Sequence, residues 1–97
     1  MNRIIAADFG FDECFDVCGQ TYPRKVDSRI LNALSSVAQS CYSMANDIRL
    51  LQHDRQLEEP FEKNQIGSSA MAYKRNPMRS ERICSLARYL MADAVNA

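Results

Sequence analysis

Residues 23–54 read PRKVDSRILNALSSVAQSCYSMANDIRLLQHD. Apolar side chains recur here at alternating steps of three and four residues, the period of an α-helix with one apolar face. We call this set the apolar stripe: Val26, Ile30, Ala33, Leu34, Val37, Cys41, Met44, Ile48 and Leu51. Pro23 suits the first turn of a helix, and neither Gly nor Pro follows before Pro60. The sequence therefore predicts one long helix over about 23–54.

The predicted helix is longer than a compact domain of this size. At ~1.5 Å per residue it is roughly 48 Å long. A compact chain of 97 residues has a diameter of only about 30–35 Å. An apolar stripe of that length needs partner helices along its whole extent.

A second helix is predicted over about 77–95, with Asn76 as a good N-cap and Pro77 at the first helical position. Its apolar face carries Ile83, Leu86, Ala87, Leu90, Ala94 and Val95. The first eight or so residues are expected to end a helix, and Phe9 to Gln20 to form a loop. A flexible loop of about residues 60–76 joins the two main helices. The predicted fold class is all-α, a segment of a long-helix bundle forming one partial domain over 1–97.

Composition excludes several classes of protein. Twelve Lys and Arg residues balance twelve Asp and Glu residues, so the chain is not a general polycation and nucleic acid is not an expected partner. Hydrophobic residues make up 46%, which argues against disorder. No run approaches 18 uninterrupted apolar residues and no signal-peptide core is visible, so a membrane partner is not expected either. A cytoplasmic location follows as the expectation.

The cysteines and the histidine favour neither disulfides nor a metal. Cys14, Cys18, Cys41 and Cys84 could form two disulfides, but no secretory signal is visible and two of them lie in helical patterns, so reduced thiols are favoured. Three residues separate Cys14 from Cys18, whereas a zinc knuckle has two, and His53 has no second ligand at metal spacing. We expect no metal and no other cofactor.

Positive charge is concentrated near the predicted loop. Between residues 60 and 90, six basic side chains stand against two acidic ones. A cationic segment that enters a helix N-terminus predicts an anion site, because free backbone N–H groups and the helix dipole add to the side-chain charge. A solvated face or phosphate contacts to RNA are the alternatives, although only Tyr73 offers a stacking aromatic ring in this cluster.

The loop also contains a longer pattern. Residues 67–77 read GSSAMAYKRNP, and Glu81 follows. This run resembles the signature of the fumarase/aspartase superfamily of lyases, Gly-Ser-Ser-x-Met-Pro-x-Lys-x-Asn-Pro followed by a Glu, so we call residues 60–76 the signature loop. The segments GQTY at 19–22, DIRLL at 47–51, EEPFEK at 58–63 and MRSER at 78–82 resemble the adenylosuccinate lyases within it. The resemblance covers roughly residues 14–92, the middle of proteins several times longer.

This resemblance implies a carbon–nitrogen lyase of the amidine-lyase type. Its reaction is a β-elimination of fumarate from adenylosuccinate, giving AMP, and from SAICAR, giving AICAR, in purine nucleotide biosynthesis. The implied catalytic residues are Ser68, which removes the proton next to a carboxylate, Lys74, which stabilises the resulting charge, and Glu81, which makes a supporting ion pair. The implied contacts to the nucleotide substrate are Gln20, Ser69, Met71, Lys74, Asn76 and Arg82.

The resemblance also implies what the chain needs from elsewhere. In the family, each site is built from three subunits of a homotetramer, and a histidine of another segment protonates the leaving nitrogen. His53 matches no catalytic histidine of the family, so a surface or packing role is expected for it and the isolated chain is expected to be inactive. Where the family has a Pro, this chain has Ala72. We therefore expect the free energy needed to order the loop to be higher by about 1 kcal/mol.

Two other functions stay open at this stage. The chain could be a truncated, non-catalytic product that only associates through its helices. It could also belong with another lyase of the superfamily, such as the argininosuccinate lyases, although the run YKRNPMRSE at 73–81 disfavours that assignment.

Overall fold

The computed structural model describes residues 1–60, 64, 70–71 and 74–97. Helix α1 spans Asn2–Asp8, α2 spans Lys25–His53 and α3 spans Met78–Asp93. No strand occurs among these residues, and the predicted all-α fold class is confirmed.

Helix α2 has the uninterrupted character that its sequence predicts. It begins two residues after Pro23, with Arg24 as the N-cap and Asp27 as the acidic residue of its first turn. A carboxylate there is favourable, because the N-terminal end of the helix dipole is positive. After His53 the chain leaves the helix, and Arg55 takes a left-handed backbone conformation with φ of 58°.

Helices α2 and α3 pack against each other as an antiparallel pair, while α1 packs against neither. The buried residues at this contact are all small; we call them the small-residue row: Ser35, Ala38 and Ala45 on α2, and Ser80, Cys84 and Ala87 on α3. The thiol of Cys84 lies 4.0 Å from the carbonyl oxygen of Tyr42 on α2. Small side chains allow two helix axes to approach closely, since interaxial distance depends on the residues at the contact.

The apolar stripe lies beside this contact, and most of its large side chains stay exposed to solvent. Ile30 is 55% exposed, Val37 61% and Met44 56%. On α3, Leu86 and Tyr89 are also exposed. Within the described ranges, α3 is the helix that packs on α2; it covers the small-residue row and leaves these large apolar side chains exposed.

The resulting shape is elongated. Its principal extents are 68 × 27 × 23 Å and its radius of gyration is 21.7 Å, whereas a compact chain of this length has about 12–13 Å. In the part of the chain that the structure describes, no helix combines the length and the apolar character that crossing a membrane requires.

Candidate functional site

A cleft opens where the end of α2 meets the start of α3, and we call it the α2–α3 cleft. It is lined from α2 by Asn46, Arg49, Leu50, Gln52 and His53, and from the opposite side by Lys74, Arg75, Asn76, Pro77 and Glu81. Basic side chains outnumber acidic ones in this lining. The cleft therefore suits an anionic ligand better than a cation.

Three residues implied by the resemblance meet in this cleft: Lys74, Asn76 and Glu81. Lys74 and Glu81 are exposed, and Asn76 is half-buried. The backbone amide of Lys74 donates to the carbonyl oxygen of Met71 at 3.0 Å. The side chains of Lys74 and Asn76 supply hydrogen-bond donors, as a carboxylate ligand requires.

Other implied residues lie outside this arrangement. Ser68, Ser69 and Ala72 fall outside the described residues. Arg82 is exposed on α3. Glu81 makes no ion pair within the described ranges, so its supporting role stays a prediction.

Gln20 lies near the N-terminal end of α2, away from the cleft. It precedes the first residue of α2, whereas the α2–α3 cleft is lined by residues of the last turns of α2. Helix α2 is roughly 43 Å long, and five extended residues span at most about 17 Å. Gln20 and Lys74 of one chain are therefore separated by on the order of 20 Å or more.

Two residues of the cleft wall were not assigned to the site by their sequence pattern. His53 was expected to have a surface or packing role, and it is exposed while lining the cleft. Arg49 belongs to the quoted DIRLL segment but carried no role of its own. Their position in the sequence could have indicated them, because both lie in the last turns of the helix that leads into the signature loop.

The N-terminus of α3 is not the open anion site that the sequence predicted. Pro77 rather than Asn76 is the N-cap, and α3 begins at Met78. The first amides of α3 already have partners: Met78 donates to Asn76 at 2.9 Å and Glu81 to Pro77 at 2.9 Å. The amides of the two intervening residues donate to the carboxylate of Glu59. The expectation was wrong for these amides, because the Glu59 carboxylate already occupies the position of the anion, whereas the basic side chains still line the cleft.

Glu59 is well suited to that position. Partial burial raises the pKa of its carboxyl group, but hydrogen bonds from the Ser80 hydroxyl, the Ser80 amide and the Arg79 amide lower it more, and the charge of Arg79 adds to this. The net pKa is lowered from its ordinary value. At neutral pH the group is therefore the anion that a helix N-terminus prefers.

A second contact joins the same two parts of the chain. The guanidinium of Arg75 lies 3.1 Å from the carboxylate of Glu58, and both side chains are more than half exposed. An exposed pair of this kind contributes at most about 1 kcal/mol. The described residues contain no group of three or more His, Cys, Asp or Glu side chains arranged to hold a metal ion.

The chain is similar to known proteins over most of its length. The profile of a family described as Lyase matches residues 16–91. The adenylosuccinate lyase of Saccharomyces cerevisiae is 62% identical over 89 residues, which are 89% of this chain and 18% of that protein. The adenylosuccinate lyases of Schistosoma mansoni and Schizosaccharomyces pombe are 57% and 54% identical, over 94% and 100% of this chain and 19% and 20% of those proteins.

The extent of these matches has two consequences. The chain spans about a fifth of the length of the curated relatives it matches. The family profile covers well over half of the chain. The chain therefore belongs to the lyase family, which confirms the superfamily indicated by residues 67–77.

Proposed function

We propose that this chain supplies the base-bearing loop of an adenylosuccinate lyase site, which eliminates fumarate from adenylosuccinate and from SAICAR in AMP and purine nucleotide biosynthesis. The observation that carries the proposal is the meeting of Lys74, Asn76 and Glu81 in one cleft of basic character. The names of the three similar proteins, all adenylosuccinate lyases, support this substrate over argininosuccinate.

The proposed chemistry is a β-elimination with a serine as the base. The Ser68 alkoxide takes a proton from the carbon next to a substrate carboxylate, and negative charge develops on that carboxylate. The electrons of the broken C–H bond then form the C=C bond of fumarate as the C–N bond breaks. The leaving nitrogen receives a proton from a general acid outside this chain. An ammonium and an amide at the cleft stabilise the developing charge, and such donors act most strongly where water is excluded.

We also propose that the site is completed by other copies of the chain, in a homo-oligomer that is a tetramer in the superfamily. The separation of Gln20 from Lys74 supports this, because one chain does not bring both to one ligand. The exposed apolar stripe supports it as well, since burying a Val or Met side chain contributes about 1.5–3 kcal/mol. We propose a cytoplasmic location, in keeping with the interpretation of the four cysteines as reduced thiols.

The test uses a hybrid protein in which this chain replaces the matching segment of the Saccharomyces cerevisiae relative. We call this hybrid the chimera. We expect it to release fumarate from adenylosuccinate, as followed by ultraviolet absorbance. Ser68→Ala should lower kcat by about 10²–10⁴-fold, the range for loss of a general base. Lys74→Ala should lower it by about 10²–10³-fold, as for loss of one electrostatic donor.

The matched control is Arg88→Ala, which removes an exposed cation of α3 outside the cleft lining. Its activity should stay within about two-fold of the chimera, since surface substitutions away from special features have small effects. A chimera that folds and assembles but releases no fumarate contradicts the proposed function. So does a Ser68→Ala variant with unchanged kcat.

A further inference from the structure

Helix α3 is capped by Glu59, which lies twenty positions before Arg79, the second residue of the helix. Its own N-cap, Pro77, makes no side-chain cap hydrogen bond. Instead, one carboxylate oxygen of Glu59 accepts the amide of Arg79 at 3.1 Å. The other oxygen accepts the amide of Ser80 at 2.9 Å and also its hydroxyl. Ser80 is 2% exposed, so this contact is at the buried side of the helix start.

The same residue is bonded to the end of α2. The backbone amide of Glu59 donates to the side-chain oxygen of Gln52 at 3.2 Å, and Gln52 lies in the last turn of that helix. Glu59 therefore holds the last turn of α2 with its backbone and the first turn of α3 with its side chain. We call this set of hydrogen bonds the Glu59 clasp.

The clasp closes the base of the signature loop. Glu59 lies directly before the signature loop, and the Arg79 and Ser80 amides that it binds lie just after it, so the chain on both sides of the loop is held at one point. Lys74 and Asn76 lie only a few residues before the Arg79 amide that the clasp binds. Hydrogen bonds to an ionised carboxylate are the stronger class, and the helix dipole adds to them. The position of the returning end of the loop therefore depends on the charge of Glu59.

We propose that Glu59 is a positioning residue of the proposed lyase site, whose carboxylate sets the position of Lys74 and Asn76 by fixing both ends of the loop that carries them. This inference rests on the proposed function. Glu59 touches no reacting atom, since its oxygens are used by the start of α3. Its effect on the reaction is geometric, and a shift of about 1 Å in a catalytic group costs up to about 10²-fold in rate.

The test compares Glu59→Gln with Glu58→Gln in the chimera. Gln keeps one acceptor oxygen but loses the charge and replaces the other oxygen with a donor. The matched control removes the neighbouring carboxylate, whose partner among the described residues is Arg75, in an exposed ion pair. We expect Glu59→Gln to lower kcat about ten-fold with KM changed less than about three-fold, because the positioned groups stabilise the transition state more than the substrate. Glu58→Gln should stay within about two-fold of the chimera.

A double-mutant cycle separates positioning from a general loss of structure. If Glu59 acts through Lys74 and Asn76, Glu59→Gln should cost much less in a Lys74→Ala background than in the chimera. A merely structural role lowers the active fraction equally in both backgrounds. Hydrogen exchange should accelerate at the Arg79 and Ser80 amides in the Glu59→Gln variant, while the amides of Ala38 and Ala45 in the α2 core stay protected.

The outcomes are distinct for the two proposals. Equal kinetics for Glu59→Gln and Glu58→Gln, or a full ten-fold loss in the Lys74→Ala background, overturns the positioning role while leaving the proposed function intact. A chimera with no fumarate release, or one insensitive to Ser68→Ala and Lys74→Ala, overturns the proposed function and this inference with it.

Discussion

The phenol of Tyr22 donates to Oδ1 of Asp27 at 2.8 Å, across the start of α2. The other oxygen of the same carboxylate, Oδ2, lies 3.2 Å from Nε of Arg24. One carboxylate in the first turn of the helix thus binds two residues of the entering chain. This fixes the path of the chain just after Gln20, which the resemblance assigns to substrate.

This contact has a consequence for titration. The hydrogen bond to Asp27 raises the pKa of Tyr22, the negative charge of Asp27 raises it further, and Arg24 opposes the shift. We expect Asp27→Asn to lower the pKa of Tyr22 towards the ordinary tyrosine value. Fluorine NMR of 3-fluorotyrosine placed at position 22 of the chimera measures this, compared with the same label without the substitution.

The control for this titration is Asp16→Asn. Asp16 is exposed and lies 4.0 Å from Arg3, away from the start of α2. The pKa of Tyr22 should not respond to it. An identical pKa in the parent and in Asp27→Asn would show that the contact is not formed in solution.

The stability contributed by the Glu59 clasp should depend on pH in acid. Because the folded-state pKa of Glu59 is lowered, its contribution is fully present above the unfolded-state pKa of about 4.3 and is lost as pH falls through the folded value. Arg79 is the charged group that faces it. We expect Glu59→Gln to cost about 1 kcal/mol near neutral pH, as for loss of a helix cap.

The measurement is the gap in melting temperature between the chimera and Glu59→Gln from pH 7 down to pH 3.5. The gap should be constant above about pH 5 and should shrink as pH falls through the lowered folded-state pKa of Glu59, because the unfolded chain takes up the proton first. Glu58→Gln is the control, because it removes a neighbouring carboxylate that takes no part in the Glu59 clasp. A gap that widens in acid contradicts the sign of the shift.

The exposed apolar stripe should control assembly. Val37→Asp places a charge in the stripe, where the proposed partner helices pack. We expect association to weaken by at least about ten-fold, because each buried apolar side chain contributes about 1.5–3 kcal/mol. Sedimentation velocity of the chimera over a concentration series measures this.

Ser43→Asp is the matched control, because Ser43 is exposed on a different side of α2 from the apolar stripe. It should leave the oligomer intact. If the Val37→Asp chimera has the same sedimentation coefficient as the parent at every concentration, the apolar stripe is not part of the interface.

The small-residue row should not tolerate larger side chains. Ala45 is fully buried between α2 and α3. Ala45→Leu should destabilise this pairing by about 1–3 kcal/mol, the usual cost of overpacking. Ala92→Leu, the same substitution at an exposed position of α3, should change stability by less than about 0.5 kcal/mol. Urea unfolding of the chimera with each substitution measures the difference in stability. Equal urea midpoints for the two variants would contradict close packing at Ala45.

The sequence by itself determined the helices and the family. An uninterrupted period of three and four residues predicts α2 to within two residues at each end, because helix formation in a long amphipathic segment depends on local spacing. The run at 67–77 is contiguous, so it identified the superfamily without any knowledge of the fold. The start of α3 was predicted one residue early, since Asn76 and Pro77 carry good local signals for a helix start.

Only the tertiary structure decided which groups meet. Hydropathy pointed to the large apolar side chains as the packing face, but α3 packs on Ser35, Ala38 and Ala45, because the approach of two helices depends on side-chain size at the contact. The capping of α3 by Glu59 joins residues some twenty positions apart, and no local pattern encodes that distance. The separation of Gln20 from Lys74 likewise follows from the rigid length of α2.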